Sequence, residues 1–142
     1  MRGIWGIDPG WGITAVRLAA GIILLVAGWA KFMVGTEALA ASFAKMGIAA
    51  PGVSGPFIML LEIIGGVMLI LGIATRWLGL IFTIEFIVAT FYVKIPVSFA
   101  GARLDIMLLA ASILCFLAGP GRAAVDEVWL EKGVAHGARR PA

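Results

Sequence analysis

Four stretches of this chain are apolar almost without interruption, and polar residues gather between them and at the two ends. The stretch from Phe57 to Ala74 is eighteen residues long and carries one charge, Glu62. At about 1.5 Å per residue it covers most of a roughly 30 Å hydrocarbon layer, so it reads as a membrane-spanning helix. With Glu62 as origin and about 100° per residue, Gly65, Gly66, Leu69, Gly72, Ile73 and Arg76 fall on one side of that helix. Glycine stripes let helix backbones approach closely in lipid, and a carboxyl group among acyl chains costs several kcal/mol. Glu62 is therefore expected to point into a bundle. Similar runs predict spans over 13–33, 77–93 and 104–119. Gly21 and Gly28 give the first span a small-residue face that matches Gly65, Gly66 and Gly72 of the second. The first span has signal-like length, but Trp29 and Lys31 beside it favour a retained anchor.

The connections carry their own signals. Between the first two spans, Thr36 reads as an N-cap, Leu39, Phe43 and Met46 recur at helical spacing, and Gly47 is a stop. A short helix over 37–46 is predicted to lie across the bundle mouth as a lid, and Pro56 to restart the chain. Thr75-Arg76 alone separates the second and third spans, which predicts an antiparallel hairpin. On the third span Phe82, Glu85, Ala89 and Tyr92 are placed on one face. After the fourth span a surface amphipathic helix is predicted over 123–132, with Trp129 dipping into the interface. Residues 1–133 thus form a single all-α, four-helix transmembrane domain, and 134–142 a disordered basic tail. Trp5 and Trp11 suit headgroup depth.

Composition fixes the class. With 62% hydrophobic residues in 142 and a mean hydropathy of +1.08, the chain has too little polar surface to enclose a soluble core. The formal charge of +3 is small, and no basic stripe interleaved with aromatic residues is present, so nucleic acid is not an expected partner. One cysteine, Cys115, excludes paired-thiol exchange within the chain, and one histidine, His136 in the tail, excludes a bis-histidine haem within the bundle. No metal constellation, phosphate loop or nucleophile with its base appears. With the N-terminus inside, that side holds seven lysines and arginines against four outside, so both termini are expected in the cytoplasm of a multi-pass cell-membrane protein.

This topology gathers the ionisable residues into two clusters. Outside, Lys31, Glu62, Lys94, Arg103 and Asp105 stand at comparable height, with Glu85 deeper; Lys31 and Glu62 are the expected pair. Inside, Arg17, Arg76 and Arg122 face Asp126 and Glu127. The bland alternative is that Lys31, Lys94, Arg17 and Arg76 only snorkel to water. Glu62 serves either as a structural lock or in a ligand or proton role. A neutral Glu85 carboxyl would donate either to a quinone carbonyl or to a backbone carbonyl. Lys31, Glu62, Glu85, Tyr92 and Asp105 are thus the candidate ligand-binding or buried polar residues, and Cys115 reads as packing.

The ordered runs VRLAAGIILLVAGWAKF at 16–32, LLEIIGGVMLILGIATR at 60–76 and GPGRAAVD at 119–126 resemble the DoxX family of small four-helix membrane proteins. The matching positions are Arg17, Gly28 and Lys31, then Glu62, Gly65, Gly66, Gly72, Thr75 and Arg76, then Gly119, Gly121, Arg122 and Asp126. The last helix opens on Asp105 where relatives often carry glutamate, and Ala124-Val125 replaces a usual serine-leucine. The resemblance implies a four-helix bundle. For some relatives it implies a membrane subunit of a thiosulfate:quinone oxidoreductase, for others a part in thiol or superoxide stress complexes. It leaves two expectations: a small subunit that docks into a larger redox complex or onto another copy of itself, with no intrinsic cofactor, or a subunit that itself contacts a quinone near Lys31, Glu62 and Glu85.

Overall fold

A computed structural model describes residues 6, 8–96 and 98–128. Among them there is no strand, and five helices account for the architecture. The first long helix, α1, runs Gly10–Val34; a short α2 spans Thr36–Lys45; α3 spans Pro51–Leu71. α4 covers Thr75–Ile87 and continues as a π-helical segment, Val88–Lys94, before α5, Phe99–Ala118. α1, α3, α4 with its π segment, and α5 are each long and apolar enough to cross a membrane. The chain is a multi-pass membrane protein. The start of α1 and the segment after α5 lie at one face of the bundle, and α2 lies at the opposite, lid face.

Every span is longer than the hydropathy pattern alone predicts, because helix ends continue through residues that are polar or small. α3 starts at Pro51, where proline's fixed φ suits a first helical residue. Pro56 then sits inside α3 instead of restarting the chain. It removes one amide near the exposed start of the helix, where water can serve the freed carbonyl. At its far end α3 stops at Leu71. Gly72, at φ +72°, lets the Gly72 N–H donate to the Leu69 carbonyl and the Ile73 N–H to the Met68 carbonyl. Ile73 and Arg76 therefore leave the Glu62 stripe, and Thr75-Arg76 is the first turn of α4, not a loop. α2 ends in the same manner at Gly47, and its N-cap is Gly35, with Thr36 already inside the helix.

Packing divides the bundle into two close pairs. α1 lies on α3 because Gly21, Gly28 and Gly66 remove the side chains between them. A Cβ on Gly21 would stand 2.9 Å from the Gly66 carbonyl oxygen, and one on Gly66 2.8 Å from the Leu25 nitrogen. α4 lies on α5 through Gly79, where a Cβ would meet the Phe116 nitrogen at 2.5 Å. Without a hydrophobic drive in lipid, such backbone proximity is what dispersion forces reward. The backbones of α3 and α4, joined by the short turn at Gly72–Ala74, stay apart over most of their length. Phe82 fills the space between them, its ring lying where a Cβ on Gly65 would be. The core is built from Ala20, Leu24, Leu69, Leu78, Phe82, Phe86 and Leu108. A second cluster, Leu39, Phe43 and Met59, fastens α2 onto α3. Trp11, Trp29 and Trp77 are exposed near helix ends, where indole rings suit the membrane interface.

Residues 125–128 form one helical turn. The expected helix therefore begins later than 123, since Ala123 takes φ +52°. Its continuation, Trp129, the tail and Trp5 lie outside the described residues.

Candidate functional site

Five ionisable side chains meet toward the lid face. Lys31, one turn from the end of α1, donates its Nζ to Glu62 Oε2 on α3. The Lys31 side chain is 26% exposed and Glu62 6%, so the lysine reaches inward from the rim while the carboxylate is enclosed. Gly28 makes this possible: it lies directly against the Glu62 Cβ and Ile63, so α1 offers no side chain to obstruct the approach. Opposite, Lys94 Nζ donates to Asp105 Oδ1 at 2.7 Å, tying the π segment to the first turns of α5. Neither lysine behaves as a free snorkelling group. Arg103 stays outside, its Nε bonded to the Ala100 carbonyl in its own helix.

Glu85 stands between these pairs on α4. Its Oε2 is buried and has no hydrogen-bond partner among the described residues. Glu62, Lys31 and Asp105 are the charged groups that act on it, yet both lysines are already engaged by other acids. The cluster thus holds three acids and two bases, with Glu85 the member left over.

Tyr92 does not belong to the site. An α-helical continuation would place it on the Glu85 face, but each residue of a π-helical turn rotates the chain less than the roughly 100° of an α-helix. The shortfall accumulates from Val88 onward, and Tyr92 ends 69% exposed to the lipid side. Thr90 takes the interior position instead: it is fully buried, and its Oγ1 has no partner. The Ile95 N–H donates to the Thr90 carbonyl, the five-residue spacing that defines the π turn. Valine, alanine, threonine and aromatic residues followed by Pro96 are a weak helical sequence, a signal of irregularity that does not specify its direction.

The second cluster closes the terminal face. Arg17 is 1% exposed, not snorkelling. Its Nη2 donates to the Ala123 carbonyl at 3.2 Å, while Nε and Nη1 are buried without partners among the described residues. Among the described residues Asp126 pairs with no arginine side chain. Its two carboxylate oxygens accept the N–H groups of Ala74 and Thr75, both at 2.9 Å, at the N-terminus of α4 where the helix dipole favours a negative charge. The Asp126 N–H in turn donates to the Gly72 carbonyl. Arg122 bonds Asp8 through Nε and Nη2, and Glu127 through Nη1 at 3.1 Å. Asp8 is held below its ordinary value of 3.8 by the Gly10 N–H and by Arg122, and those two carboxylates raise Arg122. Asp8 is a site residue that sequence reading missed, since nothing local links it to a position more than a hundred residues later. Arg76 is exposed and lies along Gly119.

With this geometry in place, the comparisons with known proteins bear on it directly. The DoxX family profile matches residues 12–95. The chain belongs to the DoxX family. That match contains Lys31, Glu62, Glu85 and Lys94, and ends before the GPGRAAVD motif and α5. Among relatives of this DoxX protein is a Bacillus subtilis (strain 168) protein named "Putative oxidoreductase CatD", 36% identical over 116 residues that cover 81% of this chain and 84% of the relative. Another is "Uncharacterized membrane protein Rv3486" of Mycobacterium tuberculosis (strain ATCC 25618 / H37Rv), 28% identical over 141 residues, covering 89% of this chain and 86% of the relative. No solved structure matches the chain.

Proposed function

We propose that this DoxX protein is a small subunit of a membrane redox complex, and that the cluster toward its lid face receives the polar head of a lipid-soluble quinone-type molecule. The observation that carries the reading is Glu85 Oε2, a buried carboxyl oxygen without a donor, between two ion pairs that engage both nearby lysines. A buried polar atom without a partner is costly, so an arrangement that keeps one is suited to a partner that comes and goes. The name of the Bacillus subtilis relative supports the redox setting.

One cysteine and one histidine give the chain no means to hold an electron carrier of the iron–sulfur or bis-histidine haem kind, so electrons pass through a quinone or a cofactor on a partner chain. The partner is another membrane subunit or a further copy of this chain. The protein resides in the cell membrane with both termini in the cytoplasm, in keeping with the excess of lysine and arginine on that side.

Mild detergent extraction at native expression, followed by identification of every protein and quinone recovered, tests this. A co-purifying redox protein together with quinone is expected. The chain recovered alone, stable and free of quinone, overturns the reading.

A further inference from the structure

We propose that Lys31 and Glu62 form the proton path of this site, carrying protons between water at the lid rim and the Glu85 carboxyl. The inference rests on the reading of Glu85 as the residue that meets the ligand, and adds how that residue gains and loses its proton.

The register of α3 and α4 brings the two glutamates together. The helices run antiparallel from the turn at Gly72–Ala74. Glu62 precedes Gly72 by ten residues and Glu85 follows Thr75 by ten, so each stands about 15 Å along its helix from that turn. One contact fixes how the helices are rotated. A Cβ on Gly65 would stand 2.6 Å from Phe82 Cζ, so Gly65 and Phe82 meet across the interface. One turn nearer the lid on the same two faces come Glu62, three residues before Gly65, and Glu85, three residues after Phe82. In keeping with this, Glu62 is the charged group that acts most strongly on Glu85, ahead of Lys31 and Asp105. The two carboxyl groups face each other between α3 and α4.

Charge balance then places a proton between them. The charged groups gathered here are Lys31 on α1, Glu62 on α3, Lys94 on the π segment and Asp105 on α5, while Glu37 and Lys45 on α2 and Arg103 on α5 are exposed. Lys31 neutralises Glu62, and Lys94 neutralises Asp105. A third carboxylate would stand uncompensated beside Glu62, so Glu85 keeps a proton. Exposure falls along the row that leads to it: the Lys31 side chain is 26% exposed, Glu62 6%, and Glu85 Oε2 is buried. The outer sides of α3 and α4 at this height carry Leu60, Ile64, Ile84 and Val88, all exposed and apolar, and supply no other proton donor. Release therefore runs through the pair. Lys31 gives a proton to rim water, Glu62 takes the Glu85 proton and hands it to the Lys31 amine, and the reverse sequence returns a proton to Glu85 with every group as it began.

The test follows the carboxylic acid C=O stretch of the full-length protein by infrared spectroscopy, in nanodiscs of ether-linked lipids that carry no ester carbonyl. The band is assigned to Glu85 by its loss in Glu85→Gln, and its shift is timed after transfer to D2O with no quinone added. Lys31→Arg is the decisive variant, because a guanidinium keeps the ion pair but does not give up its proton. Exchange of the Glu85 proton is expected to slow at least about a hundredfold in Lys31→Arg, the lower end of what a positioned acid–base group contributes, with the melting temperature unchanged. The double variant Lys31→Met with Glu62→Gln, which removes the pair whole, should slow it equally while the band persists. Exchange as fast as wild type in both variants overturns the inference, as does slowing confined to Lys94→Met with Asp105→Asn, or the absence of any Glu85-dependent band at neutral pH. Since no quinone is present, these outcomes are separate from the extraction experiment: slowed exchange in a protein recovered free of quinone upholds the path and overturns the quinone reading alone.

Discussion

Gly72 lies flat against the Arg17 guanidinium, with Ala124 on its other side. A Cβ there would overlap Arg17 Nη1 and come within 2.5 Å of the Ala124 Cβ, at a backbone φ of +72° that side chains disfavour. Gly72→Ala therefore combines left-handed strain with displacement of a buried cation. It is expected to cost about 3 kcal/mol or more, read as a lowered melting temperature in detergent. Gly12→Ala, at a position with open space around it, should leave the melting temperature unchanged.

Breaking the Lys31–Glu62 pair from one side differs from removing it whole. Lys31→Met strands an enclosed carboxylate and is expected to cost about 2 kcal/mol, less than the 3 to 5 kcal/mol of a fully buried pair because Lys31 touches water. The double variant Lys31→Met with Glu62→Gln should recover most of that loss. A double-mutant cycle on thermal unfolding measures the coupling; additive losses would mean the pair contributes nothing as a pair.

The transmembrane architecture was readable because lipid leaves few options: apolar runs of about twenty residues must be helices, and a lone carboxylate must turn inward. Lys31 and Glu62 were legible as partners since two antiparallel spans of similar length bring their positions to one height. Thr90 and Tyr92 were not. A period of 3.6 residues assumes an uninterrupted helix, and one π turn after Ile87 exchanges the inward and outward positions beyond it. Arg17 was misjudged for a related reason. Snorkelling is the usual outcome at a helix end, but the returning segment at 119–126 covers that end, and only the tertiary structure reveals the cover. Asp126 was placed among arginines by charge alone, whereas two free amides at the start of α4 compete for it more effectively.

Asp126 should therefore act as a helix cap. Asp126→Ala is expected to destabilise the protein by about 1 to 2 kcal/mol, combining a lost cap with the lost dipole interaction, and Asp126→Asn by less. Hydrogen exchange at the Ala74 and Thr75 amides provides the site-specific check. Both amides should exchange faster in the alanine variant while amides in the middle of α5 keep their protection.

Asp8 gives the terminal face a pH dependence of defined sign. Its carboxyl is held below the ordinary value of 3.8 by the Gly10 amide and Arg122, so the folded state favours the ionised form. The stabilisation is fully present above pH 3.8 and is lost as pH falls through the lower folded value. Protection of the Gly10 amide, its exchange rate divided into the intrinsic rate at the same pH, should hold at neutral pH and fall as pH drops below 3.8. In Asp8→Asn the same amide should exchange with no such transition, because the side chain no longer titrates.

The orientation of the bundle can be read with a single reactive group at a time. Cys115 is buried, so it does not interfere with labelling at the surface. Ser42, on the exposed side of α2, and Val128, exposed beyond α5, stand at opposite faces. The orientation proposed above, with both termini in the cytoplasm, has the α2 face outside. Ser42→Cys is then expected to react with a membrane-impermeant maleimide on intact cells, and Val128→Cys only after permeabilisation. The reverse pattern would invert the protein in the membrane and bring the Lys31–Glu62–Glu85 cluster nearer the cytoplasmic leaflet, so that any ligand reaching Glu85 would arrive from that side.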